Sequence, residues 1–135
     1  MRVLLLTHAG LGEVLVEIVE HIYGDRPPGL LTLAPHGDDL APLRAQLQEL
    51  IDSANCETPL LILCDIRGAS PANALPTEWG NPWVRAIYGL SLPMLLRALS
   101  RRAHWDALAE EVARGAAAAV QCHPESTAKR ISALD

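Results

Sequence analysis

Short aliphatic runs and helical stripes alternate along this chain from its first residues. Val3-Leu4-Leu5-Leu6 is an unbroken apolar run closed by Thr7 and His8, and residues 2–7 read as a strand buried on both faces. Over residues 11–23, Leu11, Val14, Leu15, Ile18 and Ile22 recur at helical spacing with Glu13, Glu17 and Glu20 on another face, predicting an amphipathic helix that buries those five. Gly24 stops that helix, and residues 25–29 form a Pro-rich turn. Leu30–Leu33 is a second short strand. Pro35-His36-Gly37 is a loop, Asp38 or Asp39 is the N-cap of the next helix, and Leu40, Leu43, Leu47 and Ile51 share one face of it.

The third strand, Leu60–Cys64, runs into Asp65 and the loop Asp65-Ile66-Arg67-Gly68-Ala69. Ser70-Pro71 then opens a helix, with Ser as N-cap and Pro at the first helical position. Val84–Tyr88 is a fourth strand, Gly89 turns the chain, and Pro93 starts a helix through Leu96 and Leu99. A last helix covers Trp105–Ala118, and residues 119–122 are a candidate edge strand. Strand and helix in strict alternation imply a doubly wound α/β domain: a mostly parallel four-stranded sheet with right-handed crossovers and helices on both faces. The expected strand order is 2-1-3-4. It sets strands 1 and 3 side by side with their helices on opposite faces, so a crevice opens between their carboxyl ends. His8 and Asp65 both fall at the rim of that crevice.

A length of 135 residues suits one domain with one core, here residues 1–120, followed by a polar tail at 121–135. Half of the chain is apolar, yet it has only three Trp, two Tyr and no Phe, so the core is aliphatic. The net charge of -5 argues against nucleic acid as a partner, although Arg97, Arg101 and Arg102 form a local basic cluster. No signal peptide or membrane-spanning run is legible, and Cys56, Cys64 and Cys122 form no CxxC pair, so the expectation is a cytoplasmic protein with reduced thiols. Cys64 reads as strand core, and Cys122-His123 is a poor chelate without further ligands. No metal and no cofactor is expected.

The crevice narrows the chemistry. A carboxylate beside a histidine fixes the ring tautomer and leaves the other nitrogen free as nucleophile or base. The chain has no GxSxG elbow, no Walker A loop and no GxGxxG, which disfavours a serine nucleophile and a bound nucleotide. His8 is then the best nucleophile on offer. Gly68 and Ala69 are small enough for close backbone approach, and Ser70 brings a hydroxyl beside a helix start, so an anion on His8 would be stabilised there. Each feature also has a plain structural reading: a strand-end histidine in the fold, an aspartate capping a turn, a helix start. A small hydrolase with a His–Asp pair is a further alternative, but it would need a metal or a second base.

Three motifs, in order, extend the reading. They are the strand ending in Thr7-His8, the segment Asp65-Ile66-Arg67-Gly68-Ala69-Ser70-Pro71-Ala72-Asn73-Ala74, and Tyr88-Gly89-Leu90-Ser91-Leu92-Pro93-Met94-Leu95. In these the chain resembles the mannose-family IIA component of the bacterial sugar phosphotransferase system, whose corresponding segments read DLFGGSPFNA and TGVNLPML. The similarity covers about residues 1–120. The resemblance implies a homodimer that exchanges an edge strand near the C-terminus. It also implies a phosphotransferase function: His8 takes a phosphoryl group from the phosphohistidine of the carrier HPr and passes it to a histidine on a IIB component. Asp65 would orient His8, and Ser70 would lie beside the phosphoryl group. An alternative within the family is a stand-alone regulator whose phosphorylation state controls binding to a sensor. The related dihydroxyacetone-kinase phosphodonors fit less well, because their loop lacks a GGSP-like segment. Departures from the pattern are Ala9 and Ala69 for Gly, Arg67 and Ala72 for large apolar residues, and Ser91 for Asn. Arg67, Ala72 and Ser91 are the expected partner-docking positions, and Arg67 is also a candidate for neutralising a phosphoryl group. A IIA component does not touch the sugar in this family, so any contact with a membrane permease is peripheral.

Overall fold

The structure is a computed structural model that describes residues 1–100 and 102–124. Four strands, β1 (Arg2–Leu6), β2 (Leu30–Leu33), β3 (Leu60–Cys64) and β4 (Val84–Tyr88), form one parallel sheet in the order β2-β1-β3-β4. The helices are α1 (Leu11–Tyr23), α2 (Ala41–Ser53), α3 (Ser70–Asn73), α4 (Leu92–Ser100) and α5 (Trp105–Ala118). The expected strand order holds, as do the four strands and the helices that follow them.

The central pair explains why the runs are uninterrupted. All five residues of β3 are buried, as are Val3, Leu4, Leu5 and Leu6 of β1. Alternate side chains of these strands enter two separate cores. Val3, Leu5, Leu61 and Leu63 pack under α1, α4 and α5, whereas Leu4, Leu6, Leu60, Ile62 and Cys64 pack under α2 and α3. Burying each such Leu or Ile contributes roughly 1.5–3 kcal/mol. The register aligns Leu6 with Cys64 and Cys64 with Tyr88, so the three strands finish level at one end of the sheet. Residues just beyond that line are brought together by the register alone.

Of the five apolar residues expected to share a face, the first helix buries only Leu15. Its buried residues are Gly12, Leu15, Val16 and Val19, while Leu11, Val14, Ile18 and Ile22 are 41%, 52%, 36% and 52% exposed. Both stripes are apolar, so periodicity could not choose between them. Close approach decides: a Cβ at Gly12 would stand 3.3 Å from Thr7 Oγ1 and 3.3 Å from Thr32 Cγ2. The helix settles on the sheet along its glycine.

Smaller corrections are confined to helix ends and the C-terminal segment. Ser70 is the first residue of α3 and Ala69 holds the cap position, with no side-chain cap hydrogen bond. Leu40 holds the cap position of α2; Asp39 Oδ1 accepts the Ala41 N–H at 3.0 Å from one residue earlier. Residues 119–122 form no strand: α5 ends at Ala118, and Val120 is 85% exposed. The rest of the expected tail, residues 125–135, lies outside the described residues. The basic cluster is partly neutralised, because Arg97 Nη1 meets Glu111 Oε1 at 3.3 Å, and Arg101 also lies outside the described residues.

Candidate functional site

His8 stands two residues past the end of β1, and Asp65 one residue past the end of β3. The level strand ends make them neighbours. Asp65 Oδ2 accepts the His8 backbone N–H at 2.9 Å and contacts His8 Nδ1 at 2.7 Å, while Oδ1 accepts the Ile66 N–H at 2.8 Å. The Asp65 N–H donates to the Leu6 carbonyl at 3.3 Å, tying the loop back to β1. The His8 side chain is 55% exposed and that of Asp65 11%. The pair is therefore an anchored carboxylate beneath an imidazole open to solvent.

The electrostatics keep the carboxylate charged. Partial burial opposes its ionisation, but the His8 N–H, the imidazole and the Ile66 N–H together outweigh that cost and hold the Asp65 carboxyl below its ordinary value. An ionised carboxylate only accepts hydrogen bonds, so Nδ1 carries the ring proton facing it. The lone pair of the neutral ring is then on Nε2, on the outward side. Burial, with a smaller push from the Asp65 charge, raises the neighbouring Cys64 thiol to about 11, so it stays protonated and does not compete as a nucleophile.

Thr7 completes the frame. It is 1% exposed, its hydroxyl donates to the His8 carbonyl at 2.8 Å, and it accepts the Gly12 N–H at 3.1 Å. Sequence reasoning treated Thr7 as the end of a strand and missed this role. The spacing Thr7-His8-x₃-Gly12 was the available signal, because it lets the first turn of a helix close onto the hydroxyl.

The remaining expected positions lie around this pair in different ways. Gly68 takes a left-handed φ of +84°, which turns the loop toward α3. Ala69 is extended, at φ -100°, and Ser70 is exposed at the start of a helix of only 4 residues. One turn carries little of a long helix's dipole, so what this segment offers an anion is local polar groups. Arg67 is exposed, with its guanidinium carbon 5.8 Å from the centre of the Tyr88 ring. Ala72 is 8% exposed, and with Arg67, Asn73, Trp79 and Tyr88 it lines a cavity of about 450 Å³. The Ser91 hydroxyl accepts the Met94 N–H at 3.3 Å in the first turn of α4. A larger cavity, about 530 Å³, lies between β2 and α2, lined by Arg2, Arg26, Glu49 and Ser53 among others. It contains neither His8 nor Asp65, and geometry rather than size identifies the chemical centre.

Among the described residues no helix is long and apolar enough to cross a membrane. The exposed stripe of α1 begins beside the pair, since the Leu11 N–H points at the His8 carbonyl at 3.4 Å. It went unread in the sequence because it was assigned to the core.

Comparison with known proteins agrees with this architecture. The mannose/sorbose-specific IIA subunit from Enterococcus faecalis superposes with a TM-score of 0.77 at 24% identity, over 93% of this chain and 96% of that one. Phosphotransferase system component EIIA from Streptococcus agalactiae gives 0.76 at 21% identity, over 90% and 95%. The IIA protein associated with the fucose utilization operon of Streptococcus pneumoniae gives 0.68 at 17%, over 99% and 96%. At these identities the likeness is one of fold. No curated protein matches in sequence. The family model described as PTS system fructose IIA component matches residues 2–115. The chain thus belongs to the phosphotransferase-system IIA family of the mannose and fructose type.

Proposed function

We propose that this protein is a phosphocarrier in which His8 accepts a phosphoryl group from phospho-HPr and passes it to a histidine of a IIB component. The observation that carries the reading is the double contact of Asp65 Oδ2 with the His8 N–H and Nδ1, at 2.9 and 2.7 Å. It points the lone pair of Nε2 at solvent, where a protein donor can reach it. In the transfer a bond forms between Nε2 and phosphorus as the donor's nitrogen–phosphorus bond breaks, and that electron pair returns to the donor ring. The His8 ring gains positive charge as Nε2 bonds, and the Asp65 carboxylate opposite Nδ1 offsets it. The return step runs the same path toward the acceptor.

In this reading Gly68, Ala69 and Ser70 form the side of the crevice nearest the transferred group. Arg67 and Ala72, at the adjoining cavity, and Ser91, at the start of α4, belong to the docking face of the acceptor. A donor that reaches Nε2 must also cover the surface around it. Leu11 and Val14 of α1, 41% and 52% exposed, lie on that surface, with Glu13 and Glu17 exposed on the same helix. An apolar patch with an acidic margin suits a donor whose own active face is apolar and basic. A cytoplasmic homodimer fits the same reading.

The test is incubation with enzyme I, HPr and labelled phosphoenolpyruvate. The wild type should acquire acid-labile label and His8→Ala none. Equal labelling of the two proteins, or none on the wild type, would end the proposal.

A further inference from the structure

We infer that Thr7 is a positioning residue for transfer at His8: its hydroxyl pins the His8 carbonyl to the first turn of α1, so the nucleophile and that helix are held as one unit. This rests on the phosphocarrier reading for its functional consequence, but its geometry stands apart from that reading.

Among the described residues, Thr7 is the one polar side chain that is fully buried. A hydroxyl is retained in an aliphatic interior only where its bonds are made. Here both are: it donates to His8 O at 2.8 Å and accepts from Gly12 N at 3.1 Å. The backbone of Thr7 is tied as well, its N–H donating to Leu33 O of β2 at 3.1 Å. One residue thus links β2, the His8 peptide and α1.

The His8 side chain needs such a link because it is mostly exposed and has little packing to orient it. Asp65 holds the amide side of His8, through the N–H, and the ring, through Nδ1. Both contacts converge on one oxygen, which is possible only for a narrow range of backbone and χ1 angles. Thr7 makes the shorter of the two hydrogen bonds on the carbonyl side, 2.8 Å against 3.4 Å from the Leu11 N–H. If the hydroxyl is removed, the His8 carbonyl keeps only the longer 3.4 Å contact from the Leu11 N–H, His8 ψ and the loop into α1 are freed, and the Cα that carries both the N–H and the ring can shift off Oδ2. Gly12 makes the pin possible, because a Cβ there would stand 3.3 Å from Thr7 Oγ1. The same turn carries Leu11, so a protein that seats on α1 finds Nε2 at a fixed place relative to its own docking contacts.

The experiment compares Thr7→Val, which keeps the shape and removes the hydroxyl, with Thr7→Ser, which restores it. The first readout needs no partner: ¹⁵N-detected spectra of His8 in the full chain, which report the ring tautomer and the Nδ1 proton shared with Asp65. The second is the initial rate of labelling by phospho-HPr. In Thr7→Val the spectra should show mixed tautomers and the rate should fall by about tenfold or more, as misplacing a reacting group by a fraction of an ångström to one ångström does. Thr7→Ser should recover the wild-type tautomer and most of the rate. Should Thr7→Val fail to fold, Gly12→Ala replaces it: its methyl crowds the hydroxyl without removing it, and should shift the His8 spectrum the same way. A wild-type His8 spectrum in Thr7→Val together with an unchanged labelling rate overturns the inference. So does equal impairment of Thr7→Ser and Thr7→Val, which would assign the effect to disturbed packing of the buried site and not to the hydrogen bonds of the hydroxyl. If wild-type protein takes no label while the spectra shift as described, the phosphocarrier reading fails and the positioning role survives.

Discussion

A single oxygen, Asp65 Oδ2, receives both the backbone N–H of His8 at 2.9 Å and its ring Nδ1 at 2.7 Å. The consequence for Asp65→Asn is specific. Oδ1 and Oδ2 both act as acceptors in the native site, and an amide offers only one oxygen. If that oxygen faces His8, the amide NH₂ opposes the Ile66 N–H. If it faces Ile66, the NH₂ opposes Nδ1 and drives the ring proton to Nε2, which removes the nucleophilic lone pair. Labelling of His8 in Asp65→Asn should fall by roughly 10²-fold or more, as loss of an orienting carboxylate does elsewhere. Stability should fall by about 1.5–3 kcal/mol, the range for hydrogen bonds to a charged group. Labelling kinetics and urea unfolding measure the two separately; a rate close to wild type would contradict the orienting role.

The lowered Asp65 carboxyl makes a signed prediction about acid. Its native value lies below its unfolded one, so the native state is stabilised by the ionised group. That contribution is complete above the ordinary carboxyl range near pH ~4 and is lost as the pH falls through the lower native value. Below about pH 5 the gap between wild type and Asp65→Asn in urea midpoints should therefore narrow steadily and close as the pH falls through the lower native value. A gap that widens as the pH falls below about 5 would be the wrong sign for this account.

Gly68 tests the loop that follows. Its φ of +84° is favourable only for glycine, and a Cβ there would meet no atom within 4 Å. Gly68→Ala should cost about 1–2 kcal/mol from backbone strain alone, Gly68→Asn less, and Gly68→Val more. Denaturant unfolding of the three variants gives the ranking, and a neutral Gly68→Val would show that the loop does not need this conformation.

The exposed face of α1 yields a graded prediction. Val14 and Ile22 are each 52% exposed, so Val14→Ser and Ile22→Ser should change stability by no more than about 0.5 kcal/mol. Val14 lies near the His8 end of the helix and Ile22 at the far end. Val14→Ser should raise the apparent KM for phospho-HPr by roughly fivefold with kcat little changed, and Ile22→Ser should raise it less. Steady-state labelling against phospho-HPr concentration checks this. Equal effects at both positions would move the donor's footprint away from His8.

Much of this was legible in the sequence, for identifiable reasons. Runs such as Leu60–Cys64 with no polar interruption have few alternatives to a central parallel strand, and strand–helix alternation restricts the order. The His8–Asp65 pair followed from that order, since both residues sit just past neighbouring strand ends. The face of α1 was not legible, because Leu11, Val14 and Ile18 are as apolar as Leu15, Val16 and Val19; the choice depends on how closely Gly12 approaches Thr7 and Thr32. The place of Ser70 was obscured by the same kind of local competition. Pro71 suits the first helical position, but the helix starts one residue earlier and Ala69 takes the cap. Thr7 was overlooked because its partners, one residue and five residues along, become its neighbours only once the loop after β1 has closed.

The central claim is that Asp65 holds Nδ1 of His8 and leaves Nε2 to take the phosphoryl group. It is tested most directly by loading the protein from phosphoenolpyruvate through enzyme I and HPr, then locating the phosphorus on the ring by ³¹P and ¹⁵N correlation spectra. The account predicts one phosphohistidine, on His8, with phosphorus on Nε2 and none in His8→Ala. Phosphorus on Nδ1, or on a histidine other than His8, would contradict it.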